Sequence, residues 1–253
     1  MRTTITLGLT CALLATPAFA NQAPPYHDPL AGLVIDDQAG HYQFERSSLD
    51  ALNVYDPFEG FNRRMYRFNA QFDHYVYLPT VRAYEVVTPR FVRSGVRNVF
   101  ANLGDVPNLA NSLAQGKIEK SMRTTARLLF NTILGGLGLF DVASKMGLPQ
   151  EPEDFGQTLG RYGVPPGPYL VLPLLGPSNL RDSTGLVVDW SVEDAINYLD
   201  SRSVMNNEQW LYGLYAIDLR YNNDFRYGAL DSPFEYDQIR YLYLKLRELQ
   251  IGQ

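Results

Sequence analysis

The chain has 253 residues, of which 45% are hydrophobic and 19% charged, with a formal net charge of −5. That mildly acidic balance, without a basic stripe or a dense Lys/Arg cluster, argues against nucleic acid as a partner. A single cysteine, Cys11, leaves no disulfide framework and no cysteine metal site.

The chain opens with a short positive start, Met1–Arg2, followed by an apolar run over residues 5–15 that only Thr6, Gly8 and Thr10 interrupt. Pro17 breaks the run before Ala18-Phe19-Ala20. This is the pattern of a secretory signal peptide over residues 1–20, cleaved after Ala20. Cys11 then lies inside the signal. Gly8, Leu9 and Thr10 fit a bacterial acylation site poorly, and the apolar run before Cys11 is short for one. Residues 21–52 are polar and Pro-containing, have no sustained period, and read as a flexible or extended tether. The compact domain is expected over residues 53–253.

The first strong element follows Asp56, a capping residue, and Pro57. Phe58, Phe61, Met65, Phe68, Phe72 and Tyr75 recur at helical spacing on one face, with Asn62, Arg63, Arg67 and Gln71 on the other. Arg63 and Arg64 can meet lipid phosphates or simply form a solvated face. Residues 91–100 and 107–115 read as two short helices separated by an Asn/Gly/Asp turn.

Residues 117–134 predict a basic amphipathic helix. Ile118, Met122, Ala126, Leu129 and Ile133 form one face; Lys117, Lys120, Arg123 and Arg127 form the other. Such a helix either lies on an anionic membrane or packs its apolar face on its own domain. It runs into 13 uncharged residues, 128–140, which are too few to span a bilayer. Gly135, Gly136 and Gly138 permit a turn or hinge and close backbone approach, so an apolar helix–Gly–helix hairpin is expected there.

Residues 162–180 carry no charge for 19 positions, yet five prolines and three glycines forbid a spanning helix. Such a segment needs a protein surface on which its backbone groups find partners. The C-terminal third reads as helix over residues 187–199 and 208–220. A last helix has Tyr236, Ile239, Leu242, Leu246 and Leu249 on one face. No series of alternating strands is evident, and the fold class is mainly α.

Catalytic and cofactor signatures fail. Asp154-Phe155-Gly156 copies a kinase triplet without the loops that give it meaning. The glycines after Leu134 match neither a dinucleotide fingerprint nor a P-loop. Of three histidines only His74 lies in the domain, and no nucleophile elbow accompanies it. The chain is read as a non-enzyme without cofactor or metal.

Several blocks together resemble the VacJ/MlaA family. They are Asp56-Pro57-Phe58-Glu59-Gly60-Phe61-Asn62-Arg63, the Asn98…Asn102-Leu103 segment, Asn131-Thr132-Ile133-Leu134-Gly135 through Phe140-Asp141-Val142-Ala143, Asp154-Phe155-Gly156-Gln157-Thr158-Leu159-Gly160, and GPYLVLPLLGPSNLRD ending at Asp182. The resemblance implies a single ring-shaped domain of amphipathic helices in the inner leaflet of the outer membrane, around an amphipathic channel. It implies intermembrane phospholipid transport: misplaced phospholipid leaves the outer leaflet for a soluble periplasmic lipid carrier, often with a trimeric porin as companion. The alternative is a soluble periplasmic lipid-binding or chaperone-like protein.

On this reading Leu128, Leu129, Asn131, Ile133, Leu134, Gly135, Gly136, Leu137, Gly138, Leu139 and Phe140 border or gate the channel. Phe61, Met65, Phe68, Tyr169, Leu170, Leu172 and Leu174 form a ring wall or membrane face. Arg63, Arg64 and Lys120 contact headgroups. Family members are commonly lipoproteins, and the poor acylation context of Cys11 is a departure; the expected location is the periplasmic side of the outer membrane.

Overall fold

The computed structural model describes residue 52 and residues 54–230 and 232–252. The expected signal segment lies outside the described residues, as does the expected tether apart from Leu52.

The fold is mainly helical with one small hairpin. Helix α1 (Glu59–Phe72) continues through a π-turn (Asp73–Tyr77) into α2 (Leu78–Val87). Helices α3 (Arg90–Ala114) and α4 (Ile118–Ile133) form an extensively packed pair. The short α5 (Val142–Lys145) and α6 (Phe155–Arg161) follow. Strands β1 (Tyr169–Leu172) and β2 (Gly176–Asn179) pair antiparallel, with Tyr169 opposite Asn179 and Val171 opposite Pro177. Then come α7 (Leu180–Ile196), α8 (Ser201–Asn207), α9 (Trp210–Tyr221) and α10 (Glu235–Gly252).

The two short helices expected over residues 91–115 are one helix of 25 residues with Pro107 inside it. The Asn/Gly/Asp stretch that reads as a turn is the start of a buried polar stripe. Asn102, Asp105, Asn108, Asn111 and Gln115 recur every three or four residues and face inward. Asn111 Nδ2 donates to the Pro107 carbonyl at 3.0 Å, and its partner Asp189 comes from α7 at 2.7 Å.

Helix α4 is also turned about from a soluble helix. Its buried face is Ser121, Thr124, Arg127 and Asn131, whereas Ile118, Met122, Leu129 and Ile133 are 54–72% exposed. The option that its apolar face packs on its own domain is therefore excluded. Arg127 is the hinge-pin of the α3–α4 contact. Its Nε donates to Asp105 Oδ2 at 2.9 Å and its Nη1 donates to the Leu148 carbonyl at 2.5 Å. In α1 the same inversion holds: Glu59, Asn62, Tyr66 and Asn69 are buried, while Phe58, Phe61 and Phe68 stand exposed.

Among the described residues a conventional apolar core is found where α1, the hairpin and α10 meet. Tyr66, Tyr169, Val171, Tyr236 and Ile239 pack there, with the tyrosine rings edge to face. The apolar face of the last helix is buried only at its start. Tyr236 and Ile239 are buried, but Leu242, Leu246 and Leu249 are exposed. The inward side continues instead through Arg240, Tyr243 and Arg247, because three carboxylates wait for them: Asp56, Asp182 and Asp154.

The uncharged stretch over residues 162–180 finds its backbone partners in side-chain amides. Asn62 donates to the Tyr169 carbonyl at 3.0 Å and accepts from the Val171 N–H at 2.9 Å. Asn69 repeats the pattern on the Leu172 carbonyl and the Leu174 N–H, at 2.9 and 2.8 Å. Two asparagines about two helical turns apart thus act as a neighbouring strand for β1. Since Val171 turns its N–H toward Asn62, its opposite number Pro177 sits where no ladder donor is needed. Arg247 ties both ends of the region together, with a two-pronged pair to Asp154 (2.7 and 2.8 Å) and Nε on Asp182 (2.8 Å). No helix among the described residues is long and apolar enough to cross a membrane.

Candidate functional site

A cavity of about 660 Å³ opens between α3, the hairpin turn and helices α7 to α9. Phe100, Leu103 and Val106 of α3 give it an apolar wall, and Leu174 and Leu175 enter from the hairpin. Leu174 holds a left-handed φ of 63°, which swings the turn toward the cavity. The opposite side is amphipathic: Trp190 and Glu193 from α7, Tyr198, Arg202 and Tyr212 beyond it, and Tyr215 and Arg220 from α9. A volume of this size with an apolar lining and a few placed polar groups suits a ligand with both characters.

The polar groups differ in how far they are committed. Arg220 is neutralised by Asp73 in a two-pronged pair, Nη2 to Oδ2 at 2.9 Å with Nε on Oδ1. The Asp73 pair raises the guanidinium pKa and outweighs burial, which lowers it. Burial pushes the Glu193 carboxyl up, with Arg202 pulling it back in part and Asp189 adding to the rise. The Tyr198 hydroxyl meets Thr132 Oγ1 of α4 at 2.5 Å, and Asn102 donates to the same Thr132 oxygen at 3.3 Å. The cavity wall is therefore latched to the α3–α4 pair. Among the described residues no group of three or more His, Cys, Asp or Glu is placed to hold a metal ion.

The profile of the family described as MlaA lipoprotein matches residues 54–250. The chain belongs to the MlaA lipoprotein family. An uncharacterised protein of Rickettsia prowazekii is 37% identical over 187 residues, 74% of this chain and 73% of its own length. The intermembrane phospholipid transport system lipoprotein MlaA of Escherichia coli K12 is 40% identical over 148 residues, 56% of this chain and 59% of that one. An uncharacterised Rickettsia felis relative is 41% identical, and the match spans 61% of its length. A solved structure described as the structural basis for maintenance of bacterial outer membrane lipid asymmetry matches with a TM-score of 0.66 and 31% identity. That match covers 78% of this chain and all of the other. The mainly helical fold is thus the fold of the MlaA family.

The MlaA-like blocks of the sequence prove to be mainly the internal polar joints. Asp56 is fully buried, accepting from the Phe58 N–H, Asn62, Tyr236 and Arg240. Asp154 caps α6 by accepting from the Gln157 N–H at 2.8 Å. Asn131 accepts from the Ala143 N–H at 2.9 Å and donates to Asp141 at 3.1 Å, pinning α5.

Of the residues expected at the channel, none from Leu128 to Phe140 lines this cavity. Leu129, Ile133, Leu134, Leu137, Leu139 and Phe140 stand exposed, Leu128 is half-buried, and the segment 134–140 is a tight turn rather than a second helical arm. Gly135 is there for close approach: a Cβ would lie 2.2 Å from the Phe140 carbonyl oxygen and 2.4 Å from that of Asn131. Gly136 and Gly138 hold left-handed φ, and a Cβ at Gly138 would press on Asn102 at 2.9 Å.

The ring-wall set divides. Phe61 and Phe68 are exposed on one side of α1, and Met65 is half-buried against the core. Tyr169 is 2% exposed and belongs to the core, so of a ring wall or a membrane face it cannot form the latter. Leu170 and Leu172 are half-buried, and Leu174 reaches the cavity. The headgroup set divides too. Arg63 is spent on Glu59 and Asp237, and Lys120 on Glu153 at 2.6 Å, where Lys117 joins it at 2.7 Å. Both are structural ion pairs in a polar interior; Arg64 alone of the three is exposed.

The cavity residues Glu193, Arg202, Trp190 and Tyr212 were absent from the expected site. They come from helices whose sequence is an unremarkable apolar–polar mixture, and only the chain's closure brings them together. One signal was present: Trp190 and Glu193 stand three apart, on one face of a helix.

Proposed function

We propose that this chain carries phospholipid across the inner leaflet of an outer membrane and so maintains the lipid asymmetry of that membrane. The observation that carries the reading is the inverted distribution of side chains. Among the described residues nine hydrophobic side chains are buried against 26 polar or charged ones, while the apolar sides of α1 and α4 face outward. Contiguous exposed apolar faces mark an interaction surface. When the surroundings are hydrocarbon, helices associate through hydrogen bonds and polar pairs instead of apolar burial. Arg127, Glu153 and Asn111 are such pairs.

In this arrangement the exposed faces sit in one leaflet and no helix spans. The amphipathic cavity takes the lipid, with the headgroup on the side of Glu193 and Arg202 and the acyl chains against Phe100, Leu103 and Leu174. Phospholipid that has strayed to the outer leaflet enters, and a soluble periplasmic carrier receives it; a trimeric porin holds the chain in register with the membrane. Export by the N-terminal signal places the domain on the periplasmic side. The apolar faces suffice to retain it without acylation of Cys11. No covalent step is needed.

Deleting the chain tests this. Phospholipid accessible to phospholipase on intact cells is expected to rise, and expression of the wild-type chain restores it. Unchanged surface phospholipid in the deletion strain overturns the reading.

A further inference from the structure

The charges lining the cavity are unequal in availability. Arg220 is matched by Asp73. Glu193 makes no ion pair and no hydrogen bond through its carboxylate among the described residues. Arg202 gives only its Nε to Asp194, at 3.1 Å, and Asp194 is itself 64% exposed. The two Nη groups of Arg202 have no partner among the described residues, and its guanidinium lies 5.9 Å from the Tyr212 ring centre. The cavity thus holds one uncommitted carboxylate and one largely uncommitted guanidinium, close enough for each to feel the other's charge but not paired. Trp190, Tyr198 and Tyr212 line the same space.

We propose that the cavity selects a zwitterionic phospholipid headgroup, Glu193 taking the ammonium and Arg202 the phosphate. This rests on the phospholipid reading above and names which phospholipid the site prefers. A guanidinium fork matches a phosphate diester in geometry and charge. A primary ammonium gives Glu193 the hydrogen bonds and counter-charge it lacks, and the aromatic faces beside it attract the same cation. Burial already works against the ionised carboxylate, so a bound ammonium relieves more than it would in open water. An anionic glycerol headgroup has no cation for Glu193 and leaves that carboxylate buried and unmatched, which is discrimination by an unpaired charge.

The test incubates the full chain with vesicles of equal phosphatidylethanolamine and phosphatidylglycerol, re-isolates it, and quantifies bound lipid by mass spectrometry. The wild type is expected to enrich phosphatidylethanolamine by about tenfold, the worth of one charge-assisted hydrogen bond. Glu193→Gln is expected to bring the ratio to about one. Bound lipid in the input ratio, or enriched in phosphatidylglycerol, overturns the selectivity whatever the variant does. An enrichment that survives Glu193→Gln overturns the assignment to Glu193. A wild type that retains no phospholipid defeats the transport reading itself, and the inference with it.

Discussion

The α3–α4 pair and the junction of α1, the hairpin and α10 are held together by opposite means. At the junction tyrosine rings, Val171 and Ile239 form a small apolar core, and buried ion pairs surround it. Between α3 and α4 the interior is mainly Asn102, Asp105, Ser121, Thr124, Arg127 and Asn131, and Ile118, Met122, Leu129 and Ile133 of α4 stand exposed. The first region is built like a water-soluble protein and the second like a membrane protein. On the proposed function, the difference assigns the lipid contact to α4 and the outer side of α1, whose apolar side chains are exposed.

The largest expected effect comes from breaking the polar pair that stands in for a core. Arg127→Ala leaves Asp105 buried without its cation and should cost about 3–5 kcal/mol. A denaturation midpoint within error of wild type would show that the α3–α4 contact is held by something else. Next is Asn62→Ala, which strands the Tyr169 carbonyl and the Val171 N–H. Two buried main-chain groups at about 1–3 kcal/mol each give a loss of about 2–6 kcal/mol. Hydrogen exchange should show it as selective deprotection of β1, while α4 amides keep their protection.

How much of this was legible follows from the same contrast. Helical periodicity located α1, α4 and α10, because spacing does not depend on what surrounds the helix. It could not say which face is inside, since that depends on whether the surroundings are water or hydrocarbon. Leu242 and Leu246 share a face with Tyr236 and Ile239 by spacing, yet they are exposed and Arg240 is buried. Residues 91–115 were split because a polar stripe of Asn102, Asp105 and Asn108 reads as a loop unless its three-residue spacing is recognised. The hairpin was missed because its ladder is only four residues long and half its order is supplied by Asn62 and Asn69, over 100 positions away. The resemblance named the family correctly; the cavity is lined from α3, the hairpin turn and α7 to α9, segments that carry no short signature of a ligand site.

A smaller effect separates the regions by pH. For Asp154 and Asp182, burial works against the charged form, but the hydrogen bonds and charge of Arg247 outweigh it and hold both carboxyls below the ordinary range. A depressed folded pKa contributes stability that is present above the unfolded value of about 3.9 and is lost as pH falls through the folded value. Stability should therefore fall with acid below about pH 4. Arg247→Gln should be less stable at neutral pH and show a shallower acid slope, read from denaturant midpoints between neutrality and acid. An unchanged slope would remove Arg247 from the account of that junction.

The smallest effect on the fold is expected where an ordinary core would give the largest. Leu129→Ser with Ile133→Ser should change stability by no more than about 0.5 kcal/mol per site, because both side chains are exposed. The same pair should weaken partitioning onto vesicles by about a hundred-fold or more, at about 1.5–3 kcal/mol per apolar side chain withdrawn from lipid. Co-sedimentation measures the second quantity and thermal unfolding the first; a destabilised protein with intact vesicle binding would reverse the assignment of inside and outside.

The central claim is that the exposed side of α4 and α1 lies in hydrocarbon. The most direct measurement reconstitutes the full chain into vesicles containing a phospholipid with a photoactivatable diazirine on its acyl chain, and maps the adducts by mass spectrometry. Adducts are predicted on Phe61, Phe68, Met122, Leu129, Ile133 and the turn through Phe140, with a second, smaller set in the cavity around Phe100 and Leu174. Adducts confined to the cavity, with the α4 face unlabelled, would contradict the claim and make the chain a soluble lipid carrier.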